Sequence, residues 1–141
     1  MKPELEEKLF SDFPKLYRLR GDRSQFAGAF YCGDGWEPLI RRLSEKLEPM
    51  LDFYEDNGDM PACVQVKEKF GGLCFYINGG NDEIWALIQE AEEEAWRTCE
   101  ICGSTDDAKA NAVGGWIRTN CPPCHEAEEV AMKARRNAVA K

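Results

Sequence analysis

The stretch CEICGSTDDAKANAVGGWIRTNCPPCH, residues 99–125, carries four of the chain's seven cysteines as two C-x2-C pairs. Eighteen residues separate Cys102 from Cys121, inside the spacing at which two such pairs close on one zinc ion. Each pair bends into a tight knuckle that points both sulfurs at a common centre, with metal–sulfur distances of about 2.3 Å. Gly103 follows the first pair and lets backbone amides approach the thiolates without steric cost. Cys121 and Cys124 open the last helical stretch, where free amides and the helix dipole favour deprotonated sulfur. The expectation is one structural Zn2+ held by Cys99, Cys102, Cys121 and Cys124.

The linker contains AVGGWIRTN, which reads as a small hairpin turning at Gly114–Gly115. A knuckle, a hairpin and a second knuckle on a helix start, over residues 98–136, resemble a treble-clef finger, or more loosely a zinc ribbon. A redox reading of CPPC has less support. A thioredoxin-type motif sits in a βαβ pattern, and the chain supplies none. Four thiolates fill a tetrahedral ion and leave no position for water, so a catalytic zinc is not expected. The single histidine, His125, is a helix-start residue that would serve as a ligand only by replacing a cysteine.

Upstream, ACVQVKEKFGGLCFYI (residues 62–77) alternates as a β-hairpin. Gly71–Gly72 are expected at its turn, because glycine tolerates the positive φ of a two-residue loop. That register pairs Phe70 with Leu73, Glu68 with Phe75 and Val66 with Ile77. It places Val64, Val66, Phe70, Leu73, Phe75 and Ile77 on one core face, and Cys63 beside Gly80, far from Cys74. Helices are expected over 3–10, after CGDGW, over 82–97 and from His125 onward. Leu39, Ile40, Leu43, Leu47, Met50 and Leu51 form the apolar stripe of the second helix, and Pro49 kinks or ends it. Asp34 or Gly35 is expected to cap that helix. A short strand is expected near residues 25–32 and a loop over 55–61. The fold class is therefore α+β: helices on a small antiparallel sheet (residues 1–97), continuing into the zinc lobe (98–141).

Composition restricts the function. The chain has 141 residues and a net charge of -8, with 26 acidic against 18 basic side chains. That balance offers few cationic side chains against phosphates, so a protein partner or a small ligand is expected first and a nucleic-acid-associated zinc finger is the alternative. Mean hydropathy of -0.54 and the absence of a long apolar run argue against a membrane span. The acidic opening MKPELEEKLF lacks the basic and apolar regions of a signal peptide, so a reducing cytoplasm is expected.

Three stretches, YCGDGW at 31–36, QVKEKFGGLCFYI at 65–77, and RTCEICG with GGWIRTNC in 97–121, together resemble a family of small bacterial, phage and prophage proteins. Cys74 departs from the pattern, since family members often carry arginine there. The resemblance implies a phage or bacterial setting and no reaction. By analogy with small phage accessory proteins, the expected partner is a host defence or transcription component.

Candidate partner-binding residues are Asp34, Trp36, Lys67, Glu68, Lys69, Trp116 and Arg118. Glu68 stands alone on an apolar face and must find a partner for its charge. Lys67 and Lys69 face outward, and Trp36 and Trp116 are anchor-type side chains that serve equally as core. Arg118 sits where it can offset thiolate charge. An enzyme built on Glu68 and Asp34 ranks behind binding, because the sequence shows no nucleophile–base pair and no phosphate loop. The remaining thiols, Cys32, Cys63 and Cys74, read as bystanders.

Overall fold

The computed structural model describes residues 1–26, 28–55 and 58–140. Residue 27 of the expected first strand and residues 56 and 57 of the expected loop lie outside these. Helix α1 spans Pro3–Asp12, with proline at its start and Leu9 and Phe10 buried. Helix α2 spans Glu37–Met50 and buries Leu39, Ile40, Leu43, Ser44 and Leu47 along one stripe. Pro49 lies within its last turn, and the chain passes into a 3-10 turn over Leu51–Tyr54. Helix α3 spans Asp82–Ala95, two residues shorter than expected at its C-terminal end. Its start is capped by Asn81, whose side chain accepts from the Ile84 amide.

The main sheet has three strands in the order β1 (Phe30–Tyr31), β2 (Ala62–Lys69), β3 (Gly72–Asn78). It is mixed rather than wholly antiparallel: β2 and β3 form the expected hairpin, while β1 runs parallel to β2. The strand expected over residues 25–32 shrinks to Phe30–Tyr31. Parallel pairing of so short a segment depends on contacts distant in sequence, which local patterning does not carry.

The hairpin register differs from expectation by one turn position. Glu68 faces Leu73 and Val66 faces Phe75, so the loop residues are Phe70 and Gly71. Both have positive φ, 52° and 88°, as a two-residue type I′ turn requires. Gly72 is instead the first residue of β3, and a Cβ there would lie 2.6 Å from the Trp96 ring. The second glycine is therefore needed for space, not for φ. Moving the turn by one position on both strands leaves the faces intact, and Val66, Leu73 and Phe75 are buried as expected. Phe70 is not: it is 72% exposed at the turn. An irregularity between Cys63 and Gln65 turns Cys63 into the core opposite Ile77 and leaves Val64 half-buried.

The core joins α1, α2, α3 and this sheet. Phe10 meets Tyr17 and Phe26 edge-on at 5.7 and 5.8 Å, and the buried Tyr17 hydroxyl shares a hydrogen bond of 2.7 Å with Ser44. Glu48 of α2 accepts from the Lys15 and Leu16 amides, both at 2.8 Å, tying the segment after α1 to α2. Acidic residues of helix α3 reach the sheet and α2. Glu92 accepts from the Phe75 amide at 3.0 Å, closing the outer edge of β3, and Glu94 pairs with Arg42. A second sheet, β4 (Lys109–Val113) with β5 (Trp116–Asn120), turns at Gly114–Gly115 as expected. Helix α4 (Pro122–Val139) follows and buries none of its residues. Among the described residues, no helix is long and apolar enough to cross a membrane.

A phenylalanine at φ 52° carries a backbone cost that asparagine or glycine largely avoids. Phe70→Asn should therefore raise stability by about 1 kcal/mol, read as a higher urea midpoint at unchanged slope. An unchanged or lower midpoint would show that the exposed ring contributes more than the turn geometry costs.

Candidate metal centre

The two knuckles converge as the spacing demands. The sulfurs of Cys99, Cys102, Cys121 and Cys124 all lie within 4.8 Å of one another, and Cys102 and Cys121 approach to 3.6 Å. The edge of a tetrahedron with metal–sulfur bonds of about 2.3 Å is about 3.8 Å, so the group has the dimensions of a four-sulfur site. All seven cysteines are free thiols. Cys99 and Cys121 are buried, Cys124 is half-buried and Cys102 faces solvent. The first knuckle is closed by the Gly103 amide donating to the Cys99 carbonyl at 2.8 Å. The second sits where Cys121 caps α4, with prolines in the first turn and the His125 amide donating to the Cys121 carbonyl.

The backbone around the first knuckle favours thiolate at one of these sulfurs. Burial alone would push the Cys99 thiol up, but amides of Cys102, Cys121 and Ile101 donate to it and bring it down to about 7. At Cys124, burial and the three neighbouring thiols act together and hold its proton far more tightly than usual. Crowded thiols resist joint deprotonation, and a positive ion among them would offset that repulsion. The donor set is soft sulfur throughout, which suits zinc, iron or copper(I) and not magnesium or calcium. His125 stands outside this group, its Nε2 3.5 Å from a Glu129 carboxylate oxygen.

The first knuckle is also the seat of the CGDGW turn. Gly35 donates its amide to the Glu100 carbonyl at 2.8 Å, and the Gly33 amide reaches a Glu100 carboxylate oxygen at 3.1 Å. A Cβ on Gly35 would run into the Cys99 carbonyl and lie 2.6 Å from that of Glu100. Trp36 then enters the core with no exposure, its indole donating to the Thr98 carbonyl at 2.9 Å. Trp36 is therefore core and not a partner anchor. Asp34 caps no helix side chain-first; its carboxylate accepts from the Lys2 amide at 2.8 Å, tying the chain start to this turn.

The hairpin tip of β2–β3 closes the other side. Thr119 of β5 donates its hydroxyl to the Gly71 carbonyl at 2.7 Å, while its own carbonyl accepts from the Glu100 amide at 2.9 Å. Glu68 accepts from the Gly71 amide at 2.7 Å, so its charge stabilises the turn that it precedes. The residue that sequence reasoning missed is Glu100, within the first knuckle and only 3% exposed. Burial pushes its carboxyl up, opposed by the pull of Arg118. Arg118 binds Glu128 at 2.6 Å and approaches Glu100 at 3.9 Å, so it serves carboxylates rather than sulfur directly. Nothing in the local pattern C-E-I-C distinguishes Glu100, because its burial is created by the distant CGDGW turn.

Lys67, Glu68, Lys69 and Trp116 line one groove between the two hairpin tips, and Trp116 and Arg118 line a second beside it. Cys32 and Cys63 are buried and not part of the four-sulfur group, with burial pushing the Cys32 thiol up to about 12, as befits inert core thiols. Comparison with family models, curated proteins and solved structures finds no match to the chain.

Gly35→Ala forces its methyl against backbone on the first knuckle and should cost about 3 kcal/mol or more, beyond ordinary overpacking. The same variant should hold added Zn2+ more weakly in a chelator competition. Wild-type-like stability and metal retention would mean that the turn and the knuckle are not mechanically coupled.

Proposed function

We propose that Cys99, Cys102, Cys121 and Cys124 hold one structural Zn2+ ion in a treble-clef-type lobe, and that the protein acts by binding another protein. The observation that carries the first part is the gathering of four sulfurs within 4.8 Å from two C-x2-C knuckles eighteen residues apart. When bound, such an ion supplies folding energy rather than reactivity, because thiolates occupy every tetrahedral position. It would fix the knuckle on which CGDGW rests and the start of α4, while Glu100, Thr119 and Arg118 hold the surrounding backbone.

The binding role is supported by what surrounds the lobe. Phe70, Trp116 and Ile117 are exposed large side chains gathered on one side, at the tips of two hairpins. Aromatic side chains displayed on rigid turns are suited to anchoring a partner. With the phage resemblance of the three motifs, the reading extends to an accessory factor that modulates a host defence or transcription component.

The metal claim predicts one zinc per chain by mass spectrometric metal analysis, in protein purified without added metal. Iron, or no metal, would contradict it. Cys121→Ser should lose the ion and most near-ultraviolet ellipticity from the lobe. Because protons compete with the metal for thiolates, the ion should be held at neutral pH and released as pH falls. The binding claim predicts a stoichiometric complex with one protein from a bacterial host, surviving nuclease treatment; a complex that nuclease dissolves would contradict it.

A further inference from the structure

We infer that the paired grooves flanking Trp116 form a docking site for an extended acidic peptide segment of the partner, with one apolar side chain seated on each side of the indole. This rests on the protein-binding reading above and specifies the partner's chemistry. One groove, of about 500 Å³, lies between the hairpin tips and is lined by Lys67, Glu68, Lys69, Phe70, Trp116 and Ile117. The other, of about 480 Å³, lies between β5 and α4 and is lined by Val113, Trp116, Arg118, Glu128, Met132 and Arg135. Trp116 is 64% exposed and forms the wall common to both. Phe70 with Ile117 on one side, and Val113 with Met132 on the other, supply two apolar seats.

The charges select the occupant. On a chain of net charge -8, the two grooves present four cationic side chains against two carboxylates. Both carboxylates are engaged: Glu68 by the Gly71 amide, and Glu128 by Arg118 and Asn120. Lys67, Lys69 and Arg135 form no ion pair among the described residues, and Lys67 only overlies the Tyr76 ring at 5.8 Å. Three free cations around two apolar seats complement a short segment with a few carboxylates. A nucleic-acid strand filling the same length would bring a phosphate per nucleotide past Glu68 and Glu128 on a chain of net charge -8, so the acidic peptide is favoured.

The turn supplies a separate reason. Phe70 occupies a left-handed backbone position where asparagine or glycine would be less strained, yet its ring is not used by the core. A strained, exposed aromatic on a rigid tip is accounted for by contact with a partner.

The test pans the zinc-loaded protein against random linear peptides on phage. Enrichment of sequences combining Asp or Glu with two apolar residues is expected. A synthetic consensus peptide should lose about tenfold or more in affinity with Trp116→Ala, and likewise with Lys67→Glu combined with Lys69→Glu. Added salt should weaken it, and Trp85→Ala, on the distant α3, should leave it unchanged. Phe70→Asn should bind more weakly although its backbone is relaxed, which separates loss of contact from loss of fold. No enrichment, enrichment without acidic residues, or affinity indifferent to Trp116 would overturn the proposal. So would oligo-dT binding that depends on Trp116 and the lysines where peptides do not bind. If a partner protein is recovered whose binding survives Trp116→Ala, the groove assignment falls while the protein-binding reading stands.

Discussion

The backbone contact between the CGDGW turn and the first cysteine knuckle holds the two halves of the molecule in register. Gly35 and Gly33 donate to the carbonyl and carboxylate of Glu100, Trp36 reaches back to Thr98, and the glycines leave no room for side chains at the seam. On one side, the same turn leads into α2 and the core beneath it. On the other, the knuckle presents Cys99 and Cys102 to the remaining sulfurs. A metal at the four cysteines therefore bears on more than the lobe: fixing the knuckle fixes the surface on which Trp36 enters the core.

A second junction works by the same means. Thr119 bridges the hairpin tip at Gly71 and the knuckle at Glu100, so the β2–β3 turn is fastened to β5 and to the first knuckle. The grooves beside Trp116 are a consequence of that arrangement and not an independent feature. A backbone anchored in this way would leave little main-chain freedom to lose at Phe70 and Trp116 were a partner to dock there.

Much of this was legible in the sequence, for physical reasons that can be named. The metal group was readable because two C-x2-C pairs leave few ways to satisfy four thiols. The faces of the β2–β3 hairpin were readable because alternation has a period of two, and a turn moved by one position on both strands preserves it. The turn itself was not. Gly71–Gly72 is the better pair for positive φ, but Trp96, distant in sequence, needs the space at Gly72 and pushes the strain onto Phe70. The irregularity at Val64, the parallel pairing of Phe30–Tyr31, and the burial of Glu100 and Trp36 likewise depend on contacts between segments far apart in the chain. Asp34 illustrates the same limit: a residue suited to capping the helix beside it is taken instead by the start of α1.

The central claim is that four sulfurs share one zinc ion. X-ray absorption at the zinc edge of the purified protein tests it most directly. A first shell of four sulfur atoms at about 2.3 Å, with no nitrogen or oxygen neighbour, is expected. A shell with fewer sulfurs completed by light atoms, or protein in solution that carries no zinc, would contradict it.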